Sequence, residues 1–289
     1  MAAVLSANRV NPRTHMATWE ELAPVKAGTL GIAVLGEGAD AAMLPDLELA
    51  ALSEMGLESQ IVKVETDSDS LKDGLARLMA LGYRGVNVGN PFKPAAARLA
   101  THFYVVRHSL GTANALMLDS GVYAMNTEVT AFTKTLEGIP TGTALVMGAG
   151  QTGRAVSMAL LEAGWKVKIW SRSATKARPT MTLLQRYGKI ELLPGPDPVG
   201  CGLVVNATPL GLRPGELPPL NWSSVQRHTV VYDLVVRRIN TELIRAATNR
   251  GLKTVDGREL LIEQAAQALE WWTGKPVPRG PMRVAAWQR

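Results

Sequence analysis

The residues whose spacing most plainly suits chemistry lie in one run, Thr143 to Ala155, TALVMGAGQTGRA. An apolar stretch there meets Gly148, Gly150 and Gly153 and continues into an apolar-periodic segment. This is G-x-G-x-x-G in the order strand, turn, helix. The first glycine permits a tight turn, the second lets a pyrophosphate approach the backbone, and the third lets the helix lie against the strand. Ala149, Gln151 and Thr152 complete the loop, whose free amides at the helix start would face phosphates. A glycine-rich turn that binds nothing looks the same in isolation, so the residues that follow decide. The predicted helix, Gln151 to Glu162, stops at Ala163-Gly164, and a second strand, Trp165 to Trp170, comes next. A site for NAD usually has an acid at this strand's end to accept from the ribose hydroxyls. This chain has Ser171-Arg172-Ser173, with Lys176 one turn on. A guanidinium there pairs with a ribose phosphate, which an acid would repel, so the cofactor expected is NADP(H). The bland alternative is a solvated basic helix start.

The rest of the chain must supply elements that hold such a site. Its 289 residues are enough for one large or two modest domains, and two are favoured. Hydrophobic content of 46% with 19% charged residues is that of an ordinary globular α/β protein rather than a disordered one. The net charge of +6 suits a phosphate-bearing ligand. The basic residues are scattered, however, with no run of Lys and Arg interleaved with aromatics, which argues against nucleic acid. One cysteine, Cys201, precludes a disulfide framework or a cysteine-based metal site within one chain, and no metal is expected. No apolar run is long enough to span a bilayer and no signal core is visible, so a cytoplasmic protein binding small molecules is expected, as monomer or homodimer.

Residues 1–26, with Arg9 and Arg13, lack a sustained apolar period and read as an extension or short surface helix. Beyond them strands alternate with helices. Strands are predicted over Thr29–Leu35, Gln60–Glu65 and Gly85–Val88, with helices over Ala42–Met55 and Ser70–Leu81 between them. Ala113–Leu118 and Val122–Met125 flank Asp119-Ser120-Gly121 as a hairpin. After a helix over Glu128–Leu136, the segment Gly138-Ile139-Pro140 leads into the glycine motif. Further helices are predicted near Thr180–Tyr187 and over Thr241–Asn249, strands near Leu203–Asn206 and Thr229–Val235, and a final helix over Arg258–Trp272. Such alternation argues for mostly parallel sheets covered by helices. The fold expected is α/β with two domains. Gly138-Ile139-Pro140 is the expected hinge between them.

Several separated motifs resemble those of the shikimate and quinate dehydrogenases, in that family's order. GVNVGNPFK (Gly85–Lys93) resembles the family's G-x-N-V-T-x-P-x-K, GTANAL (Gly111–Leu116) its G-A-x-N-T-L, and NTE (Asn126–Glu128) its N-T-D. GAGQTGRA, Ser171-Arg172-Ser173 and VVNATPLGL (Val204–Leu212) resemble its cofactor motifs, and EQAAQALEWWTG its closing helix. The resemblance implies reversible hydride transfer between NADP(H) and a ring carbon bearing a hydroxyl or ketone, as in 3-dehydroshikimate + NADPH = shikimate + NADP+. It further implies a lysine and a carboxylate that move the proton. Lys93 matches the lysine, and Glu128 stands where the family has Asp, one methylene longer. Asn87, Asn114 and Gln264 match substrate contacts. Thr208, Leu234 and Gly257 join the glycine loop on the cofactor side. The resemblance also implies that residues 1–122 and 257–289 form a substrate-binding domain completed by the C-terminal helix, and residues 123–256 a Rossmann NADP-binding domain.

The chain also departs from the family. The first βα turn aligns without a gap from Gly36 to Pro45 and puts Ala42 and Leu44 where two serines hold the substrate carboxylate. Gly89 replaces a threonine, and Val236 a tyrosine. A carboxylate facing Ala42 and Leu44 loses two charge-assisted hydrogen bonds, each worth about 1.5–3 kcal/mol. The expectation is a dehydrogenase with altered specificity for a related small cyclic hydroxy compound, the alternative being a catalytically idle NADP(H)-binding regulatory protein.

Overall fold

The computed structural model describes residues 16–37, 39–104 and 110–288. Its strands form two six-stranded sheets. The first contains β1 (Leu30–Leu35), β2 (Ser59–Val64), β3 (Tyr83–Val88), β4 (His102–Phe103), β5 (Ala115–Leu118) and β6 (Val122–Met125), in the order β2-β1-β3-β5-β6-β4. β1 pairs in parallel with β2 and β3, whereas β5 and β6 form the antiparallel hairpin expected from the turn at residues 119–121. Helices α1 (Ala39–Glu54), α2 (Leu71–Ala80) and α3 (Lys93–Leu99) follow β1, β2 and β3.

The second sheet contains β7 (Thr143–Met147), β8 (Lys166–Trp170), β9 (Ile190–Leu192), β10 (Leu203–Asn206), β11 (Val230–Asp233) and β12 (Thr254–Asp256). It is parallel throughout, in the order β12-β11-β10-β7-β8-β9. That is the doubly wound dinucleotide-binding order, with the topological switch between β7 and β10. β10 and β11 are buried along their whole length, as their continuous apolar runs require when helices cover both faces. The connecting helices are α4 (Glu128–Thr135), α5 (Gln151–Glu162), α6 (Ala174–Leu184) and α7 (Glu242–Thr248).

Helix α8 (Gly257–Thr273) ties the two sheets together. Leu260, near its start, belongs to the core around β7 and β10, whereas Leu261, Ile262, Ala265 and Trp272 pack into the core beneath α1. Its end lies so close to β3 that a Cβ on Gly85 would come within 2.6 Å of the Trp272 ring.

Several expectations need correction. The chain has a further helix, α9 (Arg279–Trp287), beyond the one read as final. Only Met282 and Ala286 of its nine residues are buried. It is held by Arg279, which pairs with Glu263 at 2.8 Å and with Glu270. Helix α6 begins at Ala174, two turns earlier than expected, because Ser173 caps it and Pro179 sits inside it rather than at its start. Strands β4, β9 and β12 have two or three residues each, fewer than a period needs.

Residues 16–26 are not a loose extension. Ala17 bridges Val64 at the open edge of β2, Leu22 is buried, and the Trp19 ring lies on Gly74. Arg9 and Arg13 lie outside the described residues. A boundary after residue 122 would cut β6, which is paired with β5 on one side and β4 on the other. Among the described residues no helix is long and apolar enough to cross a membrane.

Candidate active site

Lys93 opens α3 just after a cis Asn90-Pro91 peptide. Its carbonyl accepts from the Ala113 amide at 3.0 Å, fixing the start of α3 beside Asn114, the residue just before β5. Glu128 opens α4. Its amide donates to Asn126 Oδ1 at 2.9 Å, and Asn126 Nδ2 donates to Thr112 Oγ1 at 2.9 Å. These contacts bring the two helix starts together, and Lys93 Nζ donates to Glu128 Oε1 at 2.6 Å. The side chains are only 12% and 4% exposed, so the ion pair is almost dry, where a charge-assisted bond is strong and loss of either partner is costly. Glu128 Oε2 is buried with no hydrogen-bond partner. The extra methylene of Glu128 relative to the family's Asp therefore does not prevent contact with the lysine.

Lys93 lines a narrow cleft together with Asn87, Asn114, Thr127 and Gln264. The structure thus brings all three expected amides to the lysine. Asn114 is locked by Thr127, whose Oγ1 accepts from Asn114 Nδ2 and whose amide donates to Asn114 Oδ1, both at 2.8 Å. The other wall is apolar and includes Ala41, Leu44, Leu261 and Ala265. Leu44 indeed occupies this wall, but Ala42 is exposed and does not line the cleft, which corrects the expectation for that position. α1 is already helical there, so consecutive side chains point about 100° apart and Ala41, not Ala42, shares the face of Leu44. Gly89 also borders the cleft, and Val236 is buried in the apolar cluster of Leu44 and Leu261.

Two further residues take no role from the sequence, Glu48, which lies in no motif, and Arg154, which lies within GAGQTGRA. Asn87 Nδ2 donates at 2.6 Å to Oε1 of Glu48, a fully buried carboxyl on α1. Burial pushes Glu48 up to about 8, with the Asn87 bond opposing. The one available clue was an acid within an otherwise apolar helix face, Met43, Leu44, Leu47, Ala51 and Leu52. Arg154, in the first turn of α5, donates to the Leu110 carbonyl at 2.6 Å and so links the glycine loop's helix to the segment before Asn114.

The second sheet presents the cofactor residues. Gly148 has φ 114°, and a Cβ there would meet the Ala207 carbonyl oxygen at 2.6 Å. A Cβ on Gly153 would meet the Gly148 oxygen at 2.0 Å, whereas one on Gly150 would meet nothing within 4 Å. Two glycines thus allow close packing and the third borders open space at the uncapped start of α5. Ala149 is held through its carbonyl by Thr180 Oγ1, while Gln151 and Thr152 begin the helix. Arg172, just past the end of β8, and Lys176, in the first turn of α6, are exposed, and Ser173, two residues after Ser171, caps α6 by accepting from the Lys176 amide. Thr208 Oγ1 donates to Asn206 Oδ1 at 2.7 Å, and Asn206 in turn donates to buried Asp233 at 2.8 Å. The Gly257 backbone abuts the Leu234 carbonyl, where a Cβ would come within 2.7 Å. An open glycine loop, uncapped helix amides and exposed cations fit a phosphorylated dinucleotide. Among the described residues no cluster of His, Cys, Asp or Glu is arranged to hold a metal.

A doubly wound sheet with this loop, facing a lysine–carboxylate pair on a second α/β sheet, defines the class of two-lobed dinucleotide-dependent oxidoreductases. Residues 34–116 match the model of the shikimate dehydrogenase substrate-binding domain, and residues 257–286 that of the shikimate 5′-dehydrogenase C-terminal domain. The chain is 36% identical over 271 residues to an NADP(+) shikimate dehydrogenase of Archaeoglobus fulgidus, covering 89% of this chain and 97% of that one. It superposes on Thermus thermophilus shikimate 5-dehydrogenase, solved with NADP(H) and shikimate, with a TM-score of 0.82 at 32% identity, over 89% of this chain and 98% of that one. Quinate dehydrogenase of Corynebacterium glutamicum, solved with NAD, gives a TM-score of 0.80 at 25% identity over 89% and 98% of the two chains. The chain belongs to the shikimate dehydrogenase family.

Proposed function

We propose that this chain is an NADP(H)-dependent dehydrogenase acting on a CH–OH group, running the shikimate dehydrogenase reaction or its counterpart on a related small cyclic hydroxy compound. The observation that carries this reading is the 2.6 Å Lys93–Glu128 pair, whose lysine lines a cleft together with three amide side chains. NADP(H), when bound, gives or takes the hydride. The chain's own residues handle the proton and the geometry. Lys93 donates a hydrogen bond to the reacting oxygen as negative charge develops there and exchanges the proton with it, while Glu128 holds the ammonium in place. Asn87, Asn114 and Gln264 hold the remaining hydroxyls. The glycine loop with Gln151 and Thr152 takes the pyrophosphate. Arg172, Lys176 and the two flanking serines take the ribose phosphate, and Thr208, Leu234 and Gly257 line the nicotinamide end.

The division into domains that accords with the strand pairing puts residues 16–125 and 258–288 on the substrate side and residues 143–256 on the cofactor side, joined by α4 and the start of α8. We place the protein in the cytoplasm, as monomer or homodimer. The apolar wall at Ala41 and Leu44 favours altered specificity, because a substrate carboxylate meets no hydroxyl there. NADPH absorbance should be followed with 3-dehydroshikimate and with carboxylate-free cyclic ketones, and the reverse reaction with shikimate, quinate and cyclic alcohols. Turnover of at least one compound that is abolished in Lys93→Ala supports the reading. NADPH binding with no turnover of any of them would leave the idle regulatory protein as the better account.

A further inference from the structure

Arg154 reaches out of the cofactor lobe. It sits in the first turn of α5, where the helix dipole disfavours a cation, yet its Nη2 donates at 2.6 Å to the Leu110 carbonyl in the segment ahead of β5. Its Nε is buried without a hydrogen-bond partner, a second unfavourable feature. Burial disfavours the guanidinium charge, and the charge on Glu128 opposes that effect. Neither the helix dipole nor apolar packing favours an arginine here, so the contact with Leu110 calls for a role of its own.

Leu110 is itself unusual. Its φ is 48°, a left-handed value that leucine rarely adopts and that persists only where the surroundings hold it. Two contacts do so, and both come from the cofactor lobe. Arg154 takes the carbonyl, and the side chain packs against the core of the second sheet, although β5, which follows, belongs to the first. Residues 110–114 then touch both members of the lysine–carboxylate pair. Thr112 Oγ1 accepts from Asn126 Nδ2 while Asn126 Oδ1 accepts from the Glu128 amide, both at 2.9 Å. The next residue, Ala113, donates its amide to the Lys93 carbonyl at 3.0 Å.

We propose that Arg154 is a positioning residue through which the cofactor lobe sets the Lys93–Glu128 pair. By holding Leu110 it fixes residues 110–114, which in turn fix the backbone of both partners at the starts of α3 and α4. This rests on reading the cleft as the dehydrogenase site. The helix turn that carries Gln151 and Thr152 thus also supports the pair that handles the proton. Loss of the guanidinium leaves the glycine loop standing, since its backbone bonds, such as that from the Gly148 amide to the Trp170 carbonyl at 2.7 Å, do not involve this side chain.

Amide hydrogen exchange, followed residue by residue in the cofactor-free protein, reads this support directly. In Arg154→Met the amides of Ala113 and Glu128 should exchange about fivefold faster or more, with the Gly148 amide within about twofold. NADPH, used as the binding probe in a fluorescence titration, should bind within about threefold of normal. For any compound of the panel above that is accepted, kcat should fall by about 10–100-fold. Arg154→Lys keeps the charge and a donor on a shorter arm, so it should lie between the two proteins in exchange and in kcat. It carries the same comparison where Arg154→Met does not fold. A general structural role would instead speed exchange at Gly148 as much as at Ala113 and Glu128 and lower the melting temperature, with no gain from lysine, and that result overturns the proposal. NADPH binding weakened about tenfold or more with both amides unchanged would make Arg154 a cofactor ligand and overturn it too. So would a folded Arg154→Met protein with both amides and kcat within about twofold of normal. Faster exchange at Ala113 and Glu128 in a protein that turns over no compound would leave the role of Arg154 standing and count against the dehydrogenase reading.

Discussion

Lys93 Nζ and Glu128 Oε1 stand 2.6 Å apart although the two residues open different helices and are 35 positions apart in the chain. Each is the first residue of its helix, so the contact is set by how α3 and α4 approach. Lys93→Ala should lower kcat/KM for any accepted substrate by about 1,000-fold or more while leaving NADPH affinity within about twofold, because the residue lies in the substrate lobe. Glu128→Asp withdraws the carboxylate by about one bond length. Misplacement on that scale can cost up to about 100-fold, so kcat should fall by about 10–100-fold. Steady-state kinetics with NADPH titration checks both, and near-normal turnover in Lys93→Ala would end the assignment.

Arg172, just past the end of β8 where no acid is present, and Lys176, in the first turn of α6, are both exposed. Arg172→Ala should weaken NADPH by about 1.5–3 kcal/mol and leave NADH almost unchanged. Fluorescence titration of both cofactors gives the comparison. Equal affinity of the unmodified protein for NADPH and NADH would contradict the role given to this pair.

Leu44, not Ala42, forms the wall where a substrate carboxylate would need hydroxyls. With one bond of about 1.5–3 kcal/mol missing at Leu44, kcat/KM for shikimate should lie about 10–100-fold below that for the best uncharged substrate. Leu44→Ser should raise shikimate turnover, at a stability cost of about 2–5 kcal/mol for opening a cavity in a buried cluster. Adding Ala42→Ser should change little, because that side chain faces away. Efficient turnover of shikimate by the unmodified protein would show that another group binds its carboxylate.

Two buried carboxyls make stability depend on pH in an unusual direction. Burial raises Glu48 from 4.5 to about 8 and Asp233 from 3.8 to about 6, the latter despite bonds from Thr241, Val235 and Asn206. Between each pair of values the folded chain holds a proton that the unfolded chain has released. Stability contributed by these groups is therefore fully present at low pH and is lost as pH rises, through about 6 for Asp233 and about 8 for Glu48. Urea unfolding at pH 5, 7 and 9 should show this decline, and Glu48→Gln should flatten its upper part. Parallel curves for the two proteins would show that Glu48 does not titrate in that range.

The glycine loop, the basic end of β8 and the alternation of strand and helix were legible in the sequence because each rests on local spacing: a turn that needs Gly148, a helix that needs Gly153 close to its strand, a charge at a strand's end. Likewise, the hairpin of β5 and β6 is announced by the turn between them. What sequence motifs supplied for the site was a set of residues, not their arrangement. The contact between Lys93 and Glu128, the capture of Asn87 by Glu48 and the exclusion of Ala42 from the cleft depend on α1, α3, α4 and α8 settling against two sheets. Those contacts join positions up to 39 residues apart, as Glu48 and Asn87 are, and their geometry comes from packing that no local period encodes. Helix α9 and the strap at Ala17–Leu22 escaped notice for the same reason. Each is short and is held by burial or ion pairs against distant elements, as Arg279 is by Glu263.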